Sequence, residues 1–129
     1  MRRLGLLVCA ALVAAQPVFA HHSFAMFDTA KRLTMSGTVT GFEWTNPHVY
    51  IELDVPDEKG ALKHWSVELG SPSILMQAGW KFSDVKVHDK ITVVLNPLRS
   101  GEAGGLLVTA TVRDGRVLGN GPGRVGGQQ

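Results

Sequence analysis

Two adjacent histidines, His21 and His22, stand where an apolar leader gives way to a more polar chain. A cut after Ala20 would make His21 the first residue of the working protein, with a free α-amine beside its imidazole. These two nitrogens can close a small chelate ring on one metal ion, and one further imidazole would complete a planar set of three. Because Cu(II) prefers tetragonal nitrogen ligands and leads the affinity order for divalent ions, the pattern favours copper.

The third nitrogen in this hypothesis comes from His48, which follows the turn "TNP". His22 and His64 are weaker candidates for the same role. Glu68 is the carboxylate that could orient the imidazole of His48, as groups behind the ligands do at metal sites. This contact requires a strand register in which His48 lies opposite Glu68 and Glu52 opposite His64, and a register shifted by two residues is the open alternative.

Each histidine also has a plain structural interpretation. His21 and His22 could belong to a mobile polar start that binds nothing. His48 could cap its turn by bonding a backbone carbonyl. His64 and His88 could simply face solvent, and His88 occupies a turn position that often carries glycine.

The leader itself predicts export. Arg2 and Arg3 precede the apolar run "LGLLVCAALVAA", and "VFA" ends at Ala20, the pattern of a signal peptide over residues 1–20. The run is too short for a membrane-spanning helix. We therefore expect a periplasmic or secreted protein with no membrane span in its mature form.

The mature chain is one small, electrically neutral domain. Removing 20 of 129 residues leaves 109, and losing two of the 13 basic residues leaves 11, equal to the 11 acidic ones. The only cysteine leaves with the leader, so the fold must rest on its apolar core. A neutral chain without a basic stripe is not expected to bind nucleic acid.

Alternation of apolar and polar residues predicts strands over 33–44, 48–55, 61–69, 88–98 and 106–118. Residues 71–80 predict one short helix, with Ser71 as N-cap, Pro72 in the first turn and Gly79 as the stop. The order β-β-β-α-β-β predicts an all-β fold with one short helix, an OB-fold-like five-stranded barrel over 33–118. An open sandwich with the helix as a lid is the alternative. Residues 21–32 form a lead-in that Phe24 and Phe27 could pin to the barrel, and 119–129 form a disordered tail.

Several stretches carry a family resemblance: "HHSFAMFD", "GTVTGFEWTNPHVYIEL", "SPSILMQAGW" and "NPLRSGEAGGLL". They resemble a family of small exported proteins of Gram-negative bacteria whose function is unknown. The resemblance covers nearly all of the mature chain. It implies export and a single small β domain, and it brings no substrate or activity.

A start at histidine also resembles the histidine brace of copper-dependent polysaccharide oxygenases and of some periplasmic copper-binding proteins. That likeness is confined to the first residue, and no motif places a flat aromatic platform or an axial tyrosine. We therefore expect a binding protein with copper as its leading ligand, and not an enzyme.

The alternative is an interaction module without a metal. Its outer barrel face, with Trp44, Asn46 and Tyr50, would bind a peptide, a glycan or a partner protein, as OB barrels often do on that face. Neither hypothesis names the periplasmic partner or the small ligand.

Overall fold

The computed structural model describes residues 24–121. Over this range the secondary structure consists of six strands, one α-helix and two short 3-10 turns. The strands are β1 (Leu33–Glu43), β2 (Tyr50–Pro56), β3 (Leu62–Glu68), β4 (Lys90–Pro97), β5 (Gly104–Thr111) and β6 (Val117–Gly119). The helix α1 (Pro72–Gln77) lies between β3 and β4, and the 3-10 turns cover Phe24–Met26 and Phe82–Asp84.

The first five strands close into a barrel. β1 pairs antiparallel with β2 and with β4, β2 with β3, and β4 with β5. The circle closes where β3 and β5 run parallel over Ser66–Glu68 and Gly104–Leu106. This confirms the predicted barrel with one short helix. The sixth strand, β6, pairs antiparallel with the end of β5.

One long strand, β1, serves two neighbours in turn. Leu33–Thr38 pair with β4, and Thr38–Glu43 pair with β2. The register shifts between Val39 and Gly41, where a bulge sharpens the twist of the strand. The strand can therefore leave one side of the barrel and continue along the other.

The core fills the barrel with alternate residues of every strand, as the alternation in the sequence predicts. Val39, Ile51, Leu53, Val67 and Val93 are fully buried. Trp80 follows the helix, is 2% exposed, and donates from Nε1 to the carbonyl of Gly119 at 2.8 Å.

The helix closes one end of the barrel in the predicted way. Ser71 is its N-cap and accepts from the amide of Ile74 at 3.3 Å. Pro72 opens the first turn, and Gly79 ends the segment at a φ of 93°, which favours glycine. Leu75 supplies the buried side chain.

The lead-in is pinned by one of the two predicted phenylalanines. Phe27 is buried and forms a β-bridge with Leu98, whereas Phe24 lies 70% exposed in the 3-10 turn. The backbone amide of Asp28 bonds the carbonyl of Pro97 at 2.8 Å, and that of Arg99 bonds Met26 at 2.9 Å. Because Phe24 turns outward, the prediction that it also anchors the segment is wrong.

The single strand predicted over 106–118 is divided in the structure into β5 and β6, with residues 112–116 between them. Gly104 and Gly105, which precede that predicted strand, belong to β5, because their missing side chains let the strand approach its neighbours closely. Gly119 and Asn120, assigned to the tail, are held by Trp80 and by a 2.7 Å bond from the amide of Gly70. The rest of the predicted tail, 122–129, lies outside the described residues.

We predict that Gly105→Ala destabilises the barrel by about 2 kcal/mol, the usual scale of overpacking. An added Cβ would lie 2.5 Å from the carbonyl oxygen of Asn96 and 2.6 Å from Cδ1 of Leu95. For a domain of this size, the melting temperature should fall by about 10 °C.

Gly41→Ala is the matched control, since its Cβ would meet only Glu52 side-chain atoms, at 3.4 Å. Both substitutions replace glycine by alanine and therefore lower the entropy of the unfolded chain alike. The difference between their melting temperatures then measures the effect of the close contacts at Gly105. Equal melting temperatures for the two variants would contradict the close packing at Gly105.

Candidate functional site

The outer face of β2 and β3 carries most of the polar side chains that could do chemistry. Ile51, Leu53 and Val67 are buried in the core, so the residues that alternate with them face out. The outward residues are Tyr50, Glu52 and Asp54 on β2, and His64, Ser66 and Glu68 on β3.

The register across this face differs by two residues from the one first assumed. Tyr50, not His48, lies opposite Glu68, and Asp54 lies opposite His64. The turn between β2 and β3 sets this register. Asp57 forms two hydrogen bonds with Ala61: its backbone amide donates to the Ala61 carbonyl, and its carboxylate accepts from the Ala61 amide. Ala61 is therefore held in the loop, and Pro56 pairs with Leu62 as the first strand pair.

His64 is clamped between two carboxylates. Its Nδ1 lies 3.0 Å from Oδ1 of Asp54, and its Nε2 lies 2.8 Å from Oε2 of Glu52. The second oxygen of Glu52 accepts from the hydroxyl of Ser66 at 2.7 Å. Carboxylates only accept, so the arrangement favours the imidazolium, which donates from both nitrogens.

The electrostatics of this clamp follow from its contacts. The hydrogen bond to Asp54, reinforced by the bond and charge of Glu52, raises the pKa of the His64 imidazole above its ordinary value. The two ring nitrogens point away from each other, so one metal ion cannot take the ring and both carboxylates together. The group is an ion-pair clamp, and this arrangement disfavours the hypothesis that His64 is a reserve copper ligand.

His48 has a different environment, after the turn in which the Asn46–Pro47 peptide is cis. Its Nδ1 lies 3.2 Å from the carbonyl oxygen of Leu69 and 3.6 Å from Oε1 of Glu68. Both partners only accept, so Nδ1 faces them as the donor. Metal-binding histidines are often oriented in this way, and a turn-capping histidine makes the same carbonyl bond.

Glu68 and Tyr50 lie in a groove next to the lead-in. The groove has a volume of about 340 Å³, and its walls include Met26 and Phe27 on one side and Glu102 on another. Glu68 is only 9% exposed. Burial, together with the charge of Glu68 and a hydrogen bond to it, raises the pKa of the Tyr50 hydroxyl. Glu68 thus contacts both His48 and Tyr50.

Trp44, proposed above for the binding face, belongs to a cluster of three aromatic rings. Its centroid lies 5.6 Å from that of Phe42 and 6.4 Å from that of Phe82. Phe42 and Phe82 stack at 5.9 Å with an interplanar angle of 16°. Sequence reasoning missed Phe82, because no periodic pattern marks a residue in the loop after the helix. Asn46 is exposed at the neighbouring turn.

His21 and His22, the candidate metal ligands at the predicted N-terminus, lie outside the described residues. Between residues 24 and 121, no three His, Cys, Asp or Glu side chains are grouped so that they could hold a metal ion. In the same range, no helix is long and apolar enough to cross a membrane.

Comparison with known proteins gives one match. The model of DUF6152, a family of unknown function, matches residues 7–109, which is most of the chain. The chain belongs to this family. No curated protein matches it, and no solved structure does. The family assignment adds no activity.

We predict that the clamp makes stability depend on the charge of His64. A raised pKa means that the imidazolium stabilises the folded state fully below the unfolded value of about 6.5. This stabilisation is lost as the pH rises through the higher folded value. The melting temperatures of the wild type and His64→Gln should therefore differ at pH 5 and converge in alkaline solution.

Nuclear magnetic resonance titration of the His64 ring provides the direct measurement. Asp54→Asn should lower the pKa of His64, because it removes the largest cause of the shift. Glu58→Gln, an exposed residue of the turn, is the control and should leave it unchanged. A pKa for His64 that does not respond to Asp54→Asn would contradict the clamp.

Proposed function

We propose that this member of DUF6152 is a small exported binding protein that holds copper between its processed N-terminus and His48. The α-amine and imidazole of His21 would supply two nitrogens, and His48 the third. Three nitrogens of this kind suit Cu(II). The role would be to capture, store or deliver the metal in the periplasm.

The position of the lead-in is the observation that carries this proposal. Met26 and Phe27 line the same groove as Tyr50 and Glu68, and Glu68 lies beside His48. His21 precedes Phe24, the first described residue, by three positions, and three residues span at most about 11 Å. The lead-in and His48 are thus both neighbours of Glu68, which supports a ligand set shared between the N-terminus and His48.

The contacts of His48 support its role as a ligand. Donation from Nδ1 to the Leu69 carbonyl fixes the ring, and Nε2 is the atom proposed to bind the metal. Glu68 is the nearby carboxylate that would help to orient this imidazole. His64, held in its clamp, is not part of the proposed site, and His22 stays the weaker candidate.

Export is part of the proposal, because only removal of residues 1–20 creates the terminal amine. The leader "RRLGLLVCAALVAAQPVFA" has the charged start, apolar run and small-residue end that signal peptidases recognise. We propose binding rather than catalysis, since the clamp at His64 and the buried pair of Tyr50 and Glu68 are satisfied by their neighbours.

We predict that protein beginning at His21 binds one Cu(II), with electron paramagnetic resonance showing nitrogen ligands. Acetylation of the His21 α-amine should weaken binding at least about 100-fold, because an acetylated nitrogen no longer offers a lone pair to the metal. His48→Ala should weaken it similarly. Glu68→Gln should cost about 10–100-fold, the usual effect of a group that orients a ligand.

His88→Ala is the matched control, since His88 is exposed in the turn before β4 and should leave copper affinity unchanged. Intact mass of the exported protein shows whether it begins at His21. A protein that begins elsewhere, or that binds copper equally well with an acetylated N-terminus, would overturn the proposal.

A further inference from the structure

An open groove crosses the outer face of the barrel at the end away from His48. It has a volume of about 630 Å³ and runs over β1, with the ends of β2 and β3 on one side and the start of β4 on the other. Leu62 and Val87 line it and are 67% and 47% exposed. Large apolar side chains left this open on a small protein indicate an interaction surface when they form one patch.

The groove continues into a second one through a shared residue. Val87 also lines a neighbouring groove of about 330 Å³, together with Phe42 and Phe82. Phe82 is 64% exposed and stacks on Phe42. We call the continuous surface from Leu62 through Val87 to Phe82 the apolar strip.

Two lysines border the apolar strip on its β4 side. Lys86 lines the second groove and Lys90 the first. Among the described residues, neither ammonium has a carboxylate within ion-pair distance. Asp54, on the opposite wall, is already bonded to His64. An occupant therefore meets two uncompensated positive charges and one negative charge that is largely satisfied.

We propose that the apolar strip binds an extended segment of a partner protein, one that carries carboxylates between aliphatic side chains. Carboxylates would pair with Lys86 and Lys90, and the aliphatic groups would cover Leu62, Val87 and Phe82. Complementary charge gives such a contact its specificity, and buried aromatic and aliphatic anchors give it affinity.

The shape of the groove favours a protein segment over a small molecule. Small-molecule sites enclose most of their ligand, whereas the exposed side chains of Leu62 and Val87 leave the apolar strip open to water. The strip crosses four strands, β3, β2, β1 and β4, which is about 14 Å at the usual strand spacing. An extended segment of about five residues covers that length.

This inference is independent of the copper proposal. Lys86, Lys90 and Leu62 take no part in the site at His48, so each proposal can fail without the other.

The test uses the purified protein and three fluorescein-labelled hexapeptides as probes: DLEVDL, the charge-swapped KLKVKL, and DSESDS, which lacks aliphatic groups. Fluorescence anisotropy should show DLEVDL binding at least about fivefold more tightly than either of the others, since only it satisfies both charge and apolar contact. Raising the salt from about 0.05 to 0.5 M should weaken it several-fold. Amide chemical shifts should change along β1 and residues 82–90.

Variants assign the binding to the strip. The double variant K86E/K90E should prefer KLKVKL to DLEVDL, and Leu62→Ser should weaken DLEVDL at least about threefold. Met76→Ser and Lys59→Glu are matched controls, since both residues are exposed and lie outside the strip. Circular dichroism confirms that each variant is folded.

Four results would overturn the proposal. They are no binding of DLEVDL at about 1 mM, equal binding of KLKVKL, shift changes confined to the face of Tyr50 and Glu68, and displacement of DLEVDL by a concentration-dependent dimer of the protein itself.

Discussion

The parallel contact between β3 and β5 is the constraint on which the rest of this structure depends. It closes the barrel over Ser66–Glu68 and Gly104–Leu106, and it is possible because β5 begins with two glycines. A Cβ on Gly104 would lie 3.1 Å from the Ser66 carbonyl oxygen, and one on Gly105 would overlap the Asn96 carbonyl. Once the barrel closes, the turn bearing His48, the loop before Gly104 and the lead-in are drawn to one end. The outer face of β2 and β3 is fixed beside them.

The barrel could be predicted from the sequence because alternation marks strands and Ser71, Pro72 and Gly79 mark a single helix between the third and fourth. The register of β2 against β3 could not be predicted from the sequence. A shift by two residues keeps every side chain on its own face, so alternation does not distinguish the two pairings. The bonds of Asp57 to the turn decide it, and they depend on three-dimensional contact. Gly104 and Gly105 fall outside the strand predicted over 106–118 for a related reason, since alternation gives no signal at a residue without a side chain. His88 was assigned correctly to a turn position that favours glycine, where its φ is 77°.

The candidate site was predicted in part. His48 and Glu68 do come within 3.6 Å, although they are not opposite each other, because the turn after β1 brings the imidazole back over the end of β3.

The clamp of His64 by Asp54 and Glu52 was not foreseen, since it depends on the register. It leaves an acidic face on β2 and β3, the surface with which OB barrels often bind oligonucleotides, and carboxylates there disfavour phosphate. The apolar strip, bordered by Lys86 and Lys90, carries positive charge instead. Asp54 lies between the two surfaces and, through its bond to His64, contributes little charge to either.

The anchoring of the lead-in determines how strongly any ligand on the N-terminus could act. Phe27 is buried, and the backbone of residues 25–28 is bonded to 97–99, so the chain is fixed only a few residues after His21. A group held by so short a tether has an effective concentration near its partner in the millimolar range, with no new contact required. Copper affinity at His48 would therefore depend on Phe27 and Arg99, which need not touch the metal, because they limit the volume that the terminal amine explores. Residue types at the N-terminus alone are therefore a weak predictor of a metal site. The ligands define which ion could bind, whereas the anchor behind them determines whether they meet.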